Sequence, residues 1–132
     1  MSKSTPAEAD QNGWIDVPHH DGDLLGVVVE EPNCLLAYRS TDGVRRGLRL
    51  VGVHSMDLSG FRQGNIIMSM MMFSPEVAPK RLSEAQWLRL GHGGLPRLKG
   101  RYVFLLDSSY GAELVADCDD IEVLPPGDTV AS

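Results

Sequence analysis

The sequence has little of what marks several familiar classes of protein. Its two cysteines, Cys34 and Cys118, are too few for the disulfide framework of a small secreted module. No run approaches the roughly 18 apolar residues of a membrane-spanning helix, and the N-terminus has no apolar signal core. Basic charge is also short: 12 Lys and Arg stand against 18 Asp and Glu, a net −6. Phosphate binding needs a net basic face, so nucleic acid is not expected as a partner. What is present is ordinary globular material. The 132 residues are 42% apolar and 23% charged, which suits one domain with a core that needs no metal or disulfide. These features lead us to expect a soluble, cytoplasmic protein without a membrane span.

Charge is unevenly placed along the chain. Residues 1–31 carry −6, residues 32–110 carry +6, and residues 111–132 carry −6. Such charges can simply mix on a folded surface and confer solubility. The acidic ends can also meet on one face and attract a basic partner, because charge complementarity speeds encounter. Glu113, Asp117, Asp119, Asp120 and Glu122 are then the partner-binding candidates.

Residues 1–12 lack apolar periodicity and read as a disordered leader, while Pro125-Pro126 opens a flexible tail over 125–132. A single β-rich domain is expected over 13–124. Residues 24–29 are short and β-branched, and Glu31-Pro32-Asn33 turns the chain into a second strand over 34–39. Asp42-Gly43 is a strong hairpin signal leading into a return strand over 47–53. A fourth strand spans 65–73, with Ile66, Met68, Met70 and Met72 expected on one face and Ile67, Ser69, Met71 and Phe73 on the other. Methionine fills irregular cores and also builds adaptable surfaces, so this strand reads either way.

One short helix is expected over 83–90. Ser83 suits the N-cap and Gln86 the third helical position, a reciprocal capping box, with Leu82 and Trp87 as a hydrophobic staple. Residues 99–106 read as a strand ended by Asp107-Ser108-Ser109. Over 110–124 the alternation of Ala112, Leu114, Ala116 and Cys118 with Glu113 and Asp117 favours strand over helix, and the phase breaks at Asp119-Asp120. The expected fold is mainly β: a single twisted antiparallel sheet or half-barrel meander of six to eight strands.

No catalytic, cofactor-binding or metal-binding residues stand out. His19, His20, His54 and His92 do not follow a zinc-site spacing. Cys34 and Cys118 lie in apolar strand patterns, and the acids around Cys118 oppose thiolate formation, so both are expected buried and reduced. No serine sits in a nucleophile elbow, and Gly91-His92-Gly93-Gly94 lacks the lysine of a phosphate loop. A non-enzymatic protein is expected.

Four stretches carry a family likeness: His20-Asp21-Gly22-Asp23-Leu24-Leu25-Gly26, Leu50-Val51-Gly52-Val53, Gly60-Phe61-Arg62-Gln63-Gly64-Asn65-Ile66-Ile67, and Ser109-Tyr110-Gly111-Ala112-Glu113. Over residues 20–124 the chain resembles small bacterial β-rich immunity-type proteins of polymorphic toxin systems and their uncharacterised relatives. The resemblance implies a twisted antiparallel sheet with little helix and a protein-binding role in which a cognate toxin protein is neutralised. It brings no catalytic residues. The alternative function is a small apolar-ligand or lipid-binding β protein, in which the 66–73 strand lines a cavity.

Overall fold

The computed structural model describes residues 4–127. Its elements in chain order are β1 (Thr5–Pro6), β2 (Asp23–Glu30), β3 (Asn33–Arg39), β4 (Arg45–Ser59), β5 (Asn65–Phe73), α1 (Ala78–Arg81), α2 (Glu84–Leu90), β6 (Tyr102–Tyr110) and β7 (Glu113–Val123). All seven strands join one antiparallel sheet in the order β1-β7-β4-β3-β2-β5-β6. β7 also pairs with β6, so the sheet closes on itself. Two three-stranded meanders, β2-β3-β4 and β5-β6-β7, thus face each other as the two halves of a barrel.

The first meander is built by its turns. β2 and β3 are joined by Glu31-Pro32 and pair from Asp23↔Arg39 to Glu30↔Asn33. At the next turn Gly43 takes a left-handed φ of 84°, which the hairpin requires and glycine accepts without strain. The Asp42 carboxylate accepts from the Val44 amide and the Ser40 hydroxyl. β4 pairs with β3 only from Arg45 to Leu50, then runs on along β7 to Ser59. Gly52, with φ 64°, lies where β4 leaves β3, and a side chain there would strike the Asp119 carboxylate. Beyond this point Val53 donates its amide to Pro32 O.

The barrel interior is filled by Ile15, Leu24, Leu36, Tyr38, Leu48, Leu50, Ile67, Met70, Phe104, Leu106, Leu114 and Ile121. A second apolar layer lies outside β5, β6 and β7, where Phe73, Val103, Leu105 and Val115 pack against Ala78, Leu82 and Leu90 of the helical segment. The strands of this wall are therefore apolar on both faces, and that accounts for their near-continuous hydrophobic sequence.

Several expectations are corrected. Among the described residues a four-residue helix, α1, precedes the expected one, with a proline in its first turn, where a missing N–H costs nothing. α2 carries the expected capping box, Ser83 Oγ accepting from Gln86 N at 3.1 Å and Gln86 Oε1 from Ser83 N at 2.8 Å. The expected leader is joined to the sheet from Thr5 onward. Thr5 and Pro6 pair with Val123 and Glu122, Ala7 N donates to Ile121 O, and Ala9 bridges Ile15. Backbone pairing of this kind needs no apolar periodicity, so the sequence pattern hid it. Residues 1–3 and 128–132 of the expected leader and tail lie outside the described residues.

The faces of β5 differ as well. Its register with β6 shifts at Met68, between Ile67↔Ser108 and Ser69↔Asp107. That bulge moves Ile67, Met70 and Met72 toward the barrel interior while Met71 and Phe73 face the helices; Met68 is 42% exposed. β6 starts three residues later than expected and continues through Asp107, Ser108 and Tyr110, which pair with β5 instead of ending the strand. On β7 the phase does break at Asp119-Asp120, since Cys118 and Ile121 both face inward.

Candidate functional site

The five acids of the 113–122 stretch all lie on β7, but they do not form a free anionic face. Asp117 is fully buried and accepts from the amides of Lys99 and Gly100, both at 2.8 Å, so it anchors the approach to β6 instead of meeting a partner. A side chain at Gly100 would collide with the Cys118 carbonyl, so only glycine lets the loop come this close. Glu113 is ion-paired with Arg89 of α2 and accepts from Gln86 Nε2 at 3.2 Å. Glu122 sits opposite Arg49 on β4 and bonds it at 3.0 Å. Asp119 bonds His54 Nε2 at 2.7 Å. Asp120, like the buried Asp117, has no ion pair among the described residues; its carboxylate accepts from Ile121 N at 3.2 Å. The basic partners come from the middle of the chain, and folding brings them across β7.

Two strand edges without a strand partner among the described residues lie elsewhere. β2 pairs with β5 only at Asp23 and Leu24. From Gly26 to Glu30 its outer edge meets no strand, because β5 begins at Asn65, opposite Leu24, and runs the other way beside residues 13–22: Ile15 N donates to Met70 O and Met72 N to Gly13 O. β4 beyond Leu50 likewise has no strand on the side that β3 occupied. Between these edges is a cleft of about 480 Å³, lined by Val29 of β2, Glu31, Pro32, Asn33 and Cys34 of the turn, Val53, His54, Ser55 and Met56 of β4, and His92. Val28 is 39% and Val29 57% exposed on this edge. Glu30 and Glu31 are exposed and form no ion pair among the described residues.

The polar groups in the cleft are fixed by local bonds. Ser55 donates its hydroxyl to Leu90 O at 2.8 Å and lies 3.1 Å from His92 Nε2. Among the described residues no carboxylate bonds His92, so the third group that orients the base of a nucleophile–base pair is not present here. Burial pushes the Cys34 thiol up to about 11, and burial with Asp117, Asp119 and Asp120 pushes Cys118 up to about 12. Both are buried free thiols, in line with the sequence reading.

A second cleft, of about 300 Å³, lies where residues 10–20 pass the 40–44 turn and is lined by Asp10, Trp14, Asp16, His19, His20 and Thr41 among others. His20 donates Nδ1–H to Met68 O at 2.7 Å, filling the gap left by the Met68 bulge. His19 donates Nδ1–H to Val17 O at 2.9 Å, while its Nε2 is buried without a partner. Burial holds the His19 pKa below the usual 6.5.

Sequence reasoning missed the open edge, because an edge is a property of pairing and not of composition. The one available signal was Val27-Val28-Val29 running straight into Glu30-Glu31, a strand with no alternation and with acids at its end. No helix among the described residues is long and apolar enough to cross a membrane. Comparison with family models, with curated proteins and with solved structures finds no match for this chain.

Proposed function

We propose that the protein is a non-enzymatic, protein-binding module of the immunity type, which neutralises a cognate toxin protein by docking on it through the β2 edge and the adjoining cleft. The observation that carries this reading is the edge itself. Proteins ordinarily cover, shorten or charge a free strand edge, because its unpaired N–H and C=O groups recruit other chains. Here the edge is bare from Gly26, apolar at Val28 and Val29, and acidic only at its end. The five β7 acids contribute less than their number suggests, since Glu113, Asp119 and Glu122 are paired and Asp117 is buried. Within the cytoplasm, where this reading places the protein, its two buried thiols stay reduced.

The apolar-ligand or lipid-binding alternative draws less support. The barrel interior is occupied by Tyr38, Phe104 and the aliphatic side chains around them, and Met70 is fully buried among them. Ligand sites of that kind need an open apolar space.

The test is co-expression with the product of an adjacent toxin-domain gene. A co-purifying complex and restored growth are expected, weakened by Glu30→Lys with Glu31→Lys and unaffected by Glu113→Gln. Neither complex nor protection would overturn the proposal.

A further inference from the structure

Resting on the protein-binding reading, we infer that the β2 edge takes up an extended, apolar and basic segment of the partner as an added antiparallel strand, seated in the cleft between β2 and β4. Register supplies the first part of the argument. Across the two-residue Glu31-Pro32 turn, the flanking pair Glu30↔Asn33 is the hydrogen-bonded one, and Val28↔Leu35 is the next. The intervening residues Val27 and Val29 therefore turn their N–H and C=O groups outward. None of these outward groups has a hydrogen-bond partner among the described residues. Their spacing is that of one narrow ladder, which an incoming strand of three to five residues (about the shortest common strand length) completes.

The surroundings choose the occupant. Val28 and Val29 offer apolar contact, Met56 and Val53 line the opposite wall, and Glu30 and Glu31 stand unpaired at the end. An incoming strand that alternates apolar and basic side chains sets its apolar groups against Val29, Val53 and Met56 on one face and its basic groups beside Glu30 on the other. A second copy of this chain is a poorer occupant, because the ionisable groups of its own β2 and turn are Asp23, Glu30 and Glu31, all acidic. Edge-to-edge pairing of two copies sets like charge near like charge, which is unfavourable.

The test uses the full chain and a capped peptide of alternating lysine and valine, seven residues long, followed by amide NMR and hydrogen exchange. Shifts confined to residues 26–31 and 53–57, with exchange at Val27 and Val29 slowed, are expected. A peptide with alternate amides N-methylated keeps its charge and loses its ladder, so it should bind about tenfold or more weakly, the equivalent of one or two hydrogen bonds. Glu30→Lys with Glu31→Lys should weaken the unmodified peptide likewise. Equal binding of the two peptides, no binding of either, or protection at the Trp14–His19 cleft instead would overturn the inference. A toxin complex that persists in Val29→Pro, with an unchanged melting temperature, would overturn strand addition and leave the protein-binding reading standing. If Val29→Pro does not fold, the methylated peptide decides alone. Absence of any toxin complex, with the peptide adding normally to β2, would sink the immunity reading while upholding the edge.

Discussion

β7 and β2 are both strands rich in apolar residues and acids, and they have opposite fates. β7 is paired along both sides, with β4 on one and with β6 and then β1 on the other, and its outer face lies under α2 and the Lys99-Gly100 approach. Its carboxylates find cations or amides within the same molecule. β2 is paired along one side and for two residues of the other, and the acids at its end form no ion pair among the described residues. The number of acids in a stretch therefore says little about where a partner would feel charge. What matters is whether folding brings cations across them, and the basic middle of this chain is folded across β7 and not across the β2–β3 turn.

The largest expected effect tests the closed side of that contrast. Asp117→Ala removes one carboxylate that serves two backbone amides, and a buried donor left without a partner costs roughly 1–3 kcal/mol. We expect a loss of about 3 kcal/mol in urea unfolding with an unchanged slope. Val29→Thr, made on the open edge, should stay within about 0.5 kcal/mol, as surface substitutions do. Similar losses at both positions would erase the distinction between a closed wall and a free edge.

The same contrast separates what the sequence showed from what it hid. The β2-β3-β4 meander was legible because Glu31-Pro32 and Asp42-Gly43 force tight turns between apolar runs, and α2 because Ser83 and Gln86 satisfy each other's backbone. Strand over 113–123 followed from alternation. Pairing between distant strands was not legible. Nothing local announces that β6 and β7 close the ring, that Met68 is a bulge, or that Thr5 adds to the edge of β7. The intramolecular partners of the candidate acids were hidden for the same reason: Glu122 and Arg49 are 73 residues apart in sequence, and only the β4–β7 register puts them opposite.

A second prediction sharpens the contrast at the seam beside β5, where residues 13–22 take the place of a strand. His19 is buried there with Nε2 unpartnered, and its pKa is lowered chiefly by burial, with His20 acting in the same direction and the Val17 carbonyl and Asp10 opposing. The folded state thus binds this proton less readily than the unfolded chain, whose value is about 6.5. Stability from the neutral ring is complete above that value and declines as pH falls from it toward the folded pKa. His19→Asn can keep the donor to Val17 O and has no proton to gain. Its unfolding free energy should vary less between pH 7 and pH 5 than that of the parent. Equal slopes would show that the seam does not respond to His19.

The smallest effect concerns the acids that look most available from sequence alone. Arg49 and Glu122 pair across β4 and β7 at 3.0 Å, with about a third of each side chain exposed. Water and salt screen such a pair, and it contributes below about 1 kcal/mol. Glu122→Gln keeps the shape and an acceptor for Arg49, so we expect a loss of a few tenths of a kcal/mol that shrinks further in 0.5 M salt, near the limit of chemical denaturation. Binding of the lysine–valine peptide should not change, because Glu122 lies on the paired wall. Glu31→Gln should give the reverse pattern, with no measurable change in stability and weaker peptide binding at low salt that converges with the parent as salt is raised. A carboxylate that holds the fold and one that waits for a partner are told apart by that exchange of phenotypes. If Glu122→Gln weakened the peptide and Glu31→Gln did not, the acidic face would belong to β7 after all.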